Sequence, residues 1–150
     1  VKGQKASKTI KAKIKVSGDY KVRFDQAGMM IRQDHENYVK FGIEFVEGKF
    51  NISAVVTHDT SDWSVIELKE PIPFLWLKAV RRLDAIELYY SFDDKEYTMM
   101  RTLWMQDNCP LMVGPVAACP DGQGFKAKFS NFKVKHLPDQ RRVEWLKNNQ

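Results

Sequence analysis

The sequence predicts an all-β sandwich of two antiparallel sheets with a short helix at the C-terminal end. Three observations predict it. Apolar and polar residues alternate with a period of two along almost the whole chain, as strands with one buried face require. Turn-forming clusters recur at the spacing of about 8–12 residues typical of sandwiches. Aromatic residues, which strands favour, make up 12% of the 150 residues.

The elements follow in order. TIKAKIKV (9–16) alternates strictly and ends at the turn SGDY (17–20). QAGMMIR (26–32) is the next strand, with the polar turn QDHEN (33–37) after it. In YVKFGIEFV (38–46), Val39, Phe41, Ile43 and Phe45 share one parity and Tyr38, Lys40, Gly42 and Glu44 the other. EGK (47–49) signals a tight hairpin into FNISAVVTH (50–58). DTSD (59–62) reads as a turn before WSVIEL (63–68), and KEPIPF (69–74) as a proline-containing loop. Strands are then expected at 75–82, 86–92, 97–105 and 111–119, the last bent at Gly114-Pro115. The glycine-rich turn PDGQG (120–124) leads to a closing strand at 125–137 with a bulge near Ser130-Asn131. That makes nine or ten strands in one domain over 1–138. A helical tail is expected over 139–150, with Asp139 capping QRRVEWLKNN and Val143 and Leu146 spaced to dock.

Composition narrows the function classes. An apolar share of 43% and a charged share of 29% suit a globular domain, and the length suits a single core. No run of about 18 apolar residues exists, so no membrane helix and no membrane partner are expected. The opening VKGQKASKTIKAKIK is basic without an apolar h-region and does not read as a signal peptide. Cys109 and Cys119 are each followed by proline and match no metal or redox motif; reduced thiols and a cytoplasmic location are expected. The net charge of +5 is concentrated early, in Lys2, Lys5, Lys8, Lys11, Lys13 and Lys15. Since Lys11, Lys13 and Lys15 alternate with apolar residues, they read as the solvated face of a strand, and nucleic acid is not expected as a partner.

Five phrases then stand together in order: FDQAGMMIR, NYVKFGIEF, VVTHDTSDWSV, WLKAVRRLDAIELYYSFDDKEY and LMVGPVAACPDGQGFKAKFSNFKV. They resemble the family labelled domain of unknown function 1349, also called the regulation-of-enolase protein 1 family, over about residues 10–135. The resemblance implies a concanavalin A-like lectin/glucanase jelly roll with one concave sheet. It further implies a non-catalytic, regulatory protein whose partner is connected with enolase and sugar metabolism. The chain departs from the family pattern before residue 10, where members carry an earlier strand pair with a tryptophan and this chain is lysine-rich.

Glycoside hydrolysis is the first activity to test on such a fold. It needs two carboxylates about 5–9.5 Å apart across the scissile bond. No E-x-D-x-x-E motif is present. Glu44 and Glu87 are the carboxylates placed inside strands, and they form an acid/base pair only if they meet across a groove. No GxSxG, no phosphate loop and no cofactor motif is present. His58 with Asp59 and Asp62, or Asp34 with Glu36, are the nearest metal-donor sets, but acids in turns are ordinarily turn formers, and no metal or cofactor is assigned.

Binding is the better-supported theme. The polar parities of several strands hold Gln26 and Arg32; Tyr38, Lys40 and Glu44; Trp76 and Lys78; and Glu87 and Tyr89, with Trp63 at the rim. Should those parities face one side, they would mix planar donors, acceptors and rings as a carbohydrate or small-metabolite site does. Gly28 and Gly42 would leave room above the sheet. The plainer alternative is a solvated sheet face, with Gln26 and Arg32 paired to Glu44 and the tryptophans in the core. Three readings therefore stand: a non-catalytic ligand-binding or regulatory sandwich, a glycosidase using Glu44 and Glu87, and a protein-interaction scaffold with no small ligand.

Overall fold

The computed structural model describes residues 9–106, 109–137 and 147–149. Ten strands follow one another: β1 (Thr9–Gly18), β2 (Gln26–Arg32), β3 (Asn37–Val46), β4 (Lys49–His58), β5 (Thr60–Glu67), β6 (Leu75–Arg82), β7 (Ala85–Ser91), β8 (Thr98–Trp104), β9 (Met112–Ala118) and β10 (Ala127–Leu137). They form two antiparallel sheets of five. The first has the order β10-β1-β6-β7-β8 and the second β5-β4-β3-β2-β9. β1 packs over β2 and β6 over β3, so the sheets lie face to face as a jelly-roll sandwich. The helix expected over 139–150 falls outside the described residues, apart from Lys147 and Asn148, which are helical.

The alternation explains the core. Ile14, Val16, Leu77 and Leu88 from the first sheet meet Met29, Val39, Phe41 and Ile52 from the second, all of them buried. Each such side chain stabilises the fold by about 1.5–3 kcal/mol on transfer from water. The Glu47-Gly48 turn between β3 and β4 has φ of 50° and 77°, a type I′ geometry that matches strand twist. The next connection is tighter than its polarity suggests. Asp59 alone turns at φ 66°, and Thr60 already pairs with His58. The polar TSD run therefore belongs to an edge strand, where a solvent-facing position needs no apolar residue. The bulge in β10 is present: the register steps from Lys13 opposite Lys133 to Lys15 opposite Ser130, with Asn131 at φ 56°.

FDQAGMMIR begins at a buried anchor. Asp25 is fully buried, and its Oδ2 accepts the amides of Lys21 and Val22 at 2.8 and 2.9 Å, closing the turn that feeds β2. Burial pushes its pKa upward, but the Cys119 thiol, those two amides and the Lys21 charge outweigh burial and hold it below the ordinary carboxylate value. Cys109 and Cys119 are both free and half-buried. Among the described residues no helix is long and apolar enough to cross a membrane.

Candidate functional site

Register decides which polar residues share a surface. On the second sheet, Gln26 lies opposite Glu44, Gly28 opposite Gly42, Met30 opposite Lys40 and Arg32 opposite Tyr38. β4 adds Asn51, Ser53, Val55 and Thr57 to those rows, and Trp63 lies opposite Val55. Since Ala27, Met29, Ile31, Val39, Phe41 and Ile43 fill the core, this set points outward. Six candidates, Gln26, Arg32, Tyr38, Lys40, Glu44 and Trp63, thus stand on one outer face.

The geometry of that face centres on Glu44. Its carboxylate is buried to 6% exposure, and Trp63 donates its indole N–H to Glu44 Oε2 at 3.1 Å. Trp63 itself is 51% exposed, so the ring lies over the sheet in solvent rather than in the core. Gln26 donates to the Phe24 carbonyl at 3.1 Å and Arg32 to the Asp34 carbonyl at 3.2 Å. Both side chains are thereby oriented by backbone carbonyls and not by the alternative pairing with Glu44.

Gly28 and Gly42 leave less room than expected. A Cβ at Gly28 would stand 2.0 Å from the Phe41 carbonyl oxygen, so the glycines serve the close approach of β2 and β3. Over them lies a notch of about 10 Å³ edged by Gln26, Lys40, Ser53 and Val116, space for about one water. A ligand here would lie on the face, not in a pocket.

The other four candidates do not join this surface. Trp76, Lys78, Glu87 and Tyr89 lie on β6 and β7 of the first sheet, with Lys78 opposite Tyr89 and Trp76 opposite Ser91. Their parity also points outward, away from Leu77, Ile86 and Leu88 in the core. The surface of ten residues is therefore two surfaces with the core between them. Glu44 and Glu87 occupy opposite outer faces, so they do not flank one bond, and the glycosidase reading loses its acid/base pair.

On the first sheet's outer face, Tyr89 donates its hydroxyl to Glu87 Oε2 at 2.8 Å, and Arg82 approaches Glu87 Oε1 at 3.6 Å. Lys78 Nζ sits 4.7 and 4.1 Å from the ring centroids of Tyr89 and Tyr97. Burial, then the charges of Lys11 and Lys13, lowers the Lys78 pKa. Asp94 accepts from Lys13 at 2.8 Å and from the Tyr97 hydroxyl. Sequence reasoning missed Ser53 and Asn51, although they alternate with apolar residues in 50–58, and it missed Tyr97 because it lies beside a turn; Asp94 reads in the sequence only as an acid of that turn.

Neither face groups metal ligands: among the described residues no three His, Cys, Asp or Glu side chains stand together to hold an ion. Asp34, one of the donors considered, caps its own turn, accepting the Glu36 and Asn37 amides at 2.9 and 2.8 Å. His58 is held between Asn37 Oδ1 at 2.9 Å and the Trp104 carbonyl at 2.8 Å. Asp62 pairs with Arg101.

Three comparisons bear on this architecture. The protein named Regulation of enolase protein 1, from Saccharomyces cerevisiae, is 30% identical over 132 residues, spanning 88% of this chain and 67% of that protein. A crystal structure of a functionally unknown protein from Saccharomyces cerevisiae is 29% identical with a TM-score of 0.82, covering 87% of this chain and 71% of that one. A GH43 protein from Bacillus licheniformis, crystallised as a mutant, and a xylan beta-1,4-xylosidase from Bacillus halodurans share the fold at TM-scores of 0.73 and 0.70. Each is 20% identical, and the matches cover 84% and 88% of this chain against 27% and 28% of theirs. Residues 2–137 match the family described as Protein of unknown function (DUF1349), and this chain belongs to it.

Proposed function

We propose that the chain is a non-catalytic binding or regulatory sandwich, and that its ligand surface is the outer face of the second sheet. The observation that carries this reading is the exposed Trp63 ring held in place by the buried Glu44 carboxylate. An exposed tryptophan costs the fold hydrophobic burial, and a fixed orientation makes it a platform for the apolar face of a sugar. Gln26, Lys40 and Ser53, which edge the notch on the same outer face, supply donors and acceptors for hydroxyls. The ligand class is a neutral carbohydrate or similar polyol metabolite. The name of the yeast relative supports a regulatory role in place of turnover, with a protein partner connected to enolase, and two free thiols fit a cytoplasmic setting.

Isothermal titration against a panel of neutral oligosaccharides and monosaccharides checks this. Binding is expected in wild type, to weaken about tenfold or more in Trp63→Ala, and to survive in Glu44→Gln, because the Gln oxygen still accepts the indole N–H. Hydrolysis of any glycan by wild type would overturn the non-catalytic reading. The second reading, a protein-interaction scaffold, is favoured by the small notch over Gly28 and Gly42. It takes over if no sugar binds while a protein partner protects Trp63 from quenching.

A further inference from the structure

The lysine stripe of 11–15 looked like an ordinary solvated strand face, but the sheet register surrounds it with more lysines. On the outer face of the first sheet, Lys11 lies opposite Lys135, and Lys13 stands between Lys133 and Lys78. Lys15 lies between Ser130 and Trp76, and Ser17 opposite Lys128. Like charges directly opposite on neighbouring strands are destabilising. Two of these rows keep that repulsion, and among the described residues few acids relieve it: Asp94 pairs with Lys13, while Glu87 is engaged by Arg82 and Tyr89.

Aromatic rings are interleaved with the charges. Lys13 and Lys15 sit 5.3 and 5.7 Å from the Trp76 ring centroid, Lys15 also 4.1 Å from that of Phe74, and Lys78 lies over Tyr89 and Tyr97. At one end the tract opens into a hollow of about 220 Å³ lined by Lys15, Lys128, Ser17, Ser130, Pro73 and Phe74. Ammonium groups, hydroxyl donors and a ring wall together suit a phosphate with a base beside it. Along β1 the lysines repeat every second residue, roughly 6.6 Å, which is comparable to the step between phosphates of an extended single strand.

The geometry points to the outer face of β10, β1 and β6 as a binding surface for single-stranded nucleic acid, with the lysine rows on the phosphates and Trp76 and Phe74 as stacking surfaces. Nonspecific single-strand binders combine these two elements, a cationic track and aromatic platforms. An acidic peptide would satisfy the lysines but would leave the rings and the hydroxyl-lined hollow without a function. The surface is separate from the Trp63 face, so failure there leaves this inference standing, and the reverse also holds.

Fluorescence anisotropy with a labelled 20-nucleotide oligo-U, titrated at several salt concentrations, tests it. Wild type is expected to bind at low salt, with log K falling against log salt at a slope of about −3, as roughly four phosphate contacts give. Lys13→Glu with Lys133→Glu is expected to weaken binding at least about tenfold and flatten the slope. Trp76→Leu is expected to weaken binding with the slope unchanged, since it removes stacking and no charge. Lys49→Glu, in the exposed β3–β4 hairpin of the opposite sheet and outside both surfaces, is the control and leaves binding intact, with circular dichroism confirming that each variant folds. No binding at low salt, equal loss in Lys49→Glu, or tighter binding of poly-glutamate than of oligo-U would each overturn the proposal.

Discussion

Gly28 and Glu44 occupy the same outer face, yet substitutions there should act on different properties. A Cβ on Gly28 would meet the Phe41 carbonyl oxygen at 2.0 Å, and one on Gly42 the Ala27 carbonyl oxygen at 2.3 Å, both backbone atoms that cannot step aside. Gly28→Ala is therefore expected to lose about 3 kcal/mol or more in urea denaturation. Gly114→Ala, whose added methyl meets nothing within 4 Å, should change stability by less than about 0.5 kcal/mol. An equal effect at the two sites would refute the close-approach account. Asp25 carries a second prediction at this scale. Its folded pKa lies below the unfolded value, so its contribution is complete above about pH 4 and is lost as pH falls through the depressed folded value. Asp25→Ala leaves the Lys21 and Val22 amides without their acceptor, at about 1–3 kcal/mol each. The urea midpoints of wild type and variant should differ widely at pH 7 and converge as the pH falls below about 4; a gap that persists unchanged in acid would show that the carboxylate charge is not what matters.

Elements were legible in the sequence to the extent that their causes are local. Alternation of period two marks β2 and β6 at their observed bounds, and the Glu47-Gly48 hairpin follows from turn chemistry alone. The β5 boundary was not legible, because Thr60–Asp62 is polar for the reason that edge strands can be polar, which looks like a turn. The bulge at Asn131 was legible as a Ser-Asn interruption inside an alternating strand, and it offers a prediction at this scale. Asn131 holds φ 56°, a conformation that Asn and Gly tolerate and β-branched residues do not. Asn131→Gly should be neutral within about 0.5 kcal/mol, and Asn131→Val should destabilise by about 1–2 kcal/mol. Thermal melts of the pair decide it: similar melting temperatures would mean that the bulge slides to accommodate Val and that the register between Lys13 and Lys15 is not fixed by this residue.

At the scale of the whole molecule, the candidate site was only half legible, and the reason is topological. Parity along a strand tells which residues share a face, but not which sheet the strand enters. β6 and β7 join β1 and β10 through pairings that span much of the chain, and that long-range choice carries Trp76, Lys78, Glu87 and Tyr89 to the side opposite Glu44 and Trp63. Two outer faces separated by a packed core share no partner, and substitutions without shared partners add. Trp63→Ala and Trp76→Ala should therefore be additive in stability, with a double-mutant coupling below about 0.5 kcal/mol. Arg101 sets the contrast. It reaches from β8 to Asp62 and to the Ser64 hydroxyl at 2.8 Å on β5, tying one edge of the first sheet to the edge of the second. Arg101→Ala and Asp62→Ala remove the same tie and should show a measurable non-additivity that shrinks as salt is raised, because Asp62 is exposed. If instead the two tryptophans couple and the Arg101–Asp62 pair does not, the faces communicate through the core, and a ligand on one would be expected to change the affinity of the other.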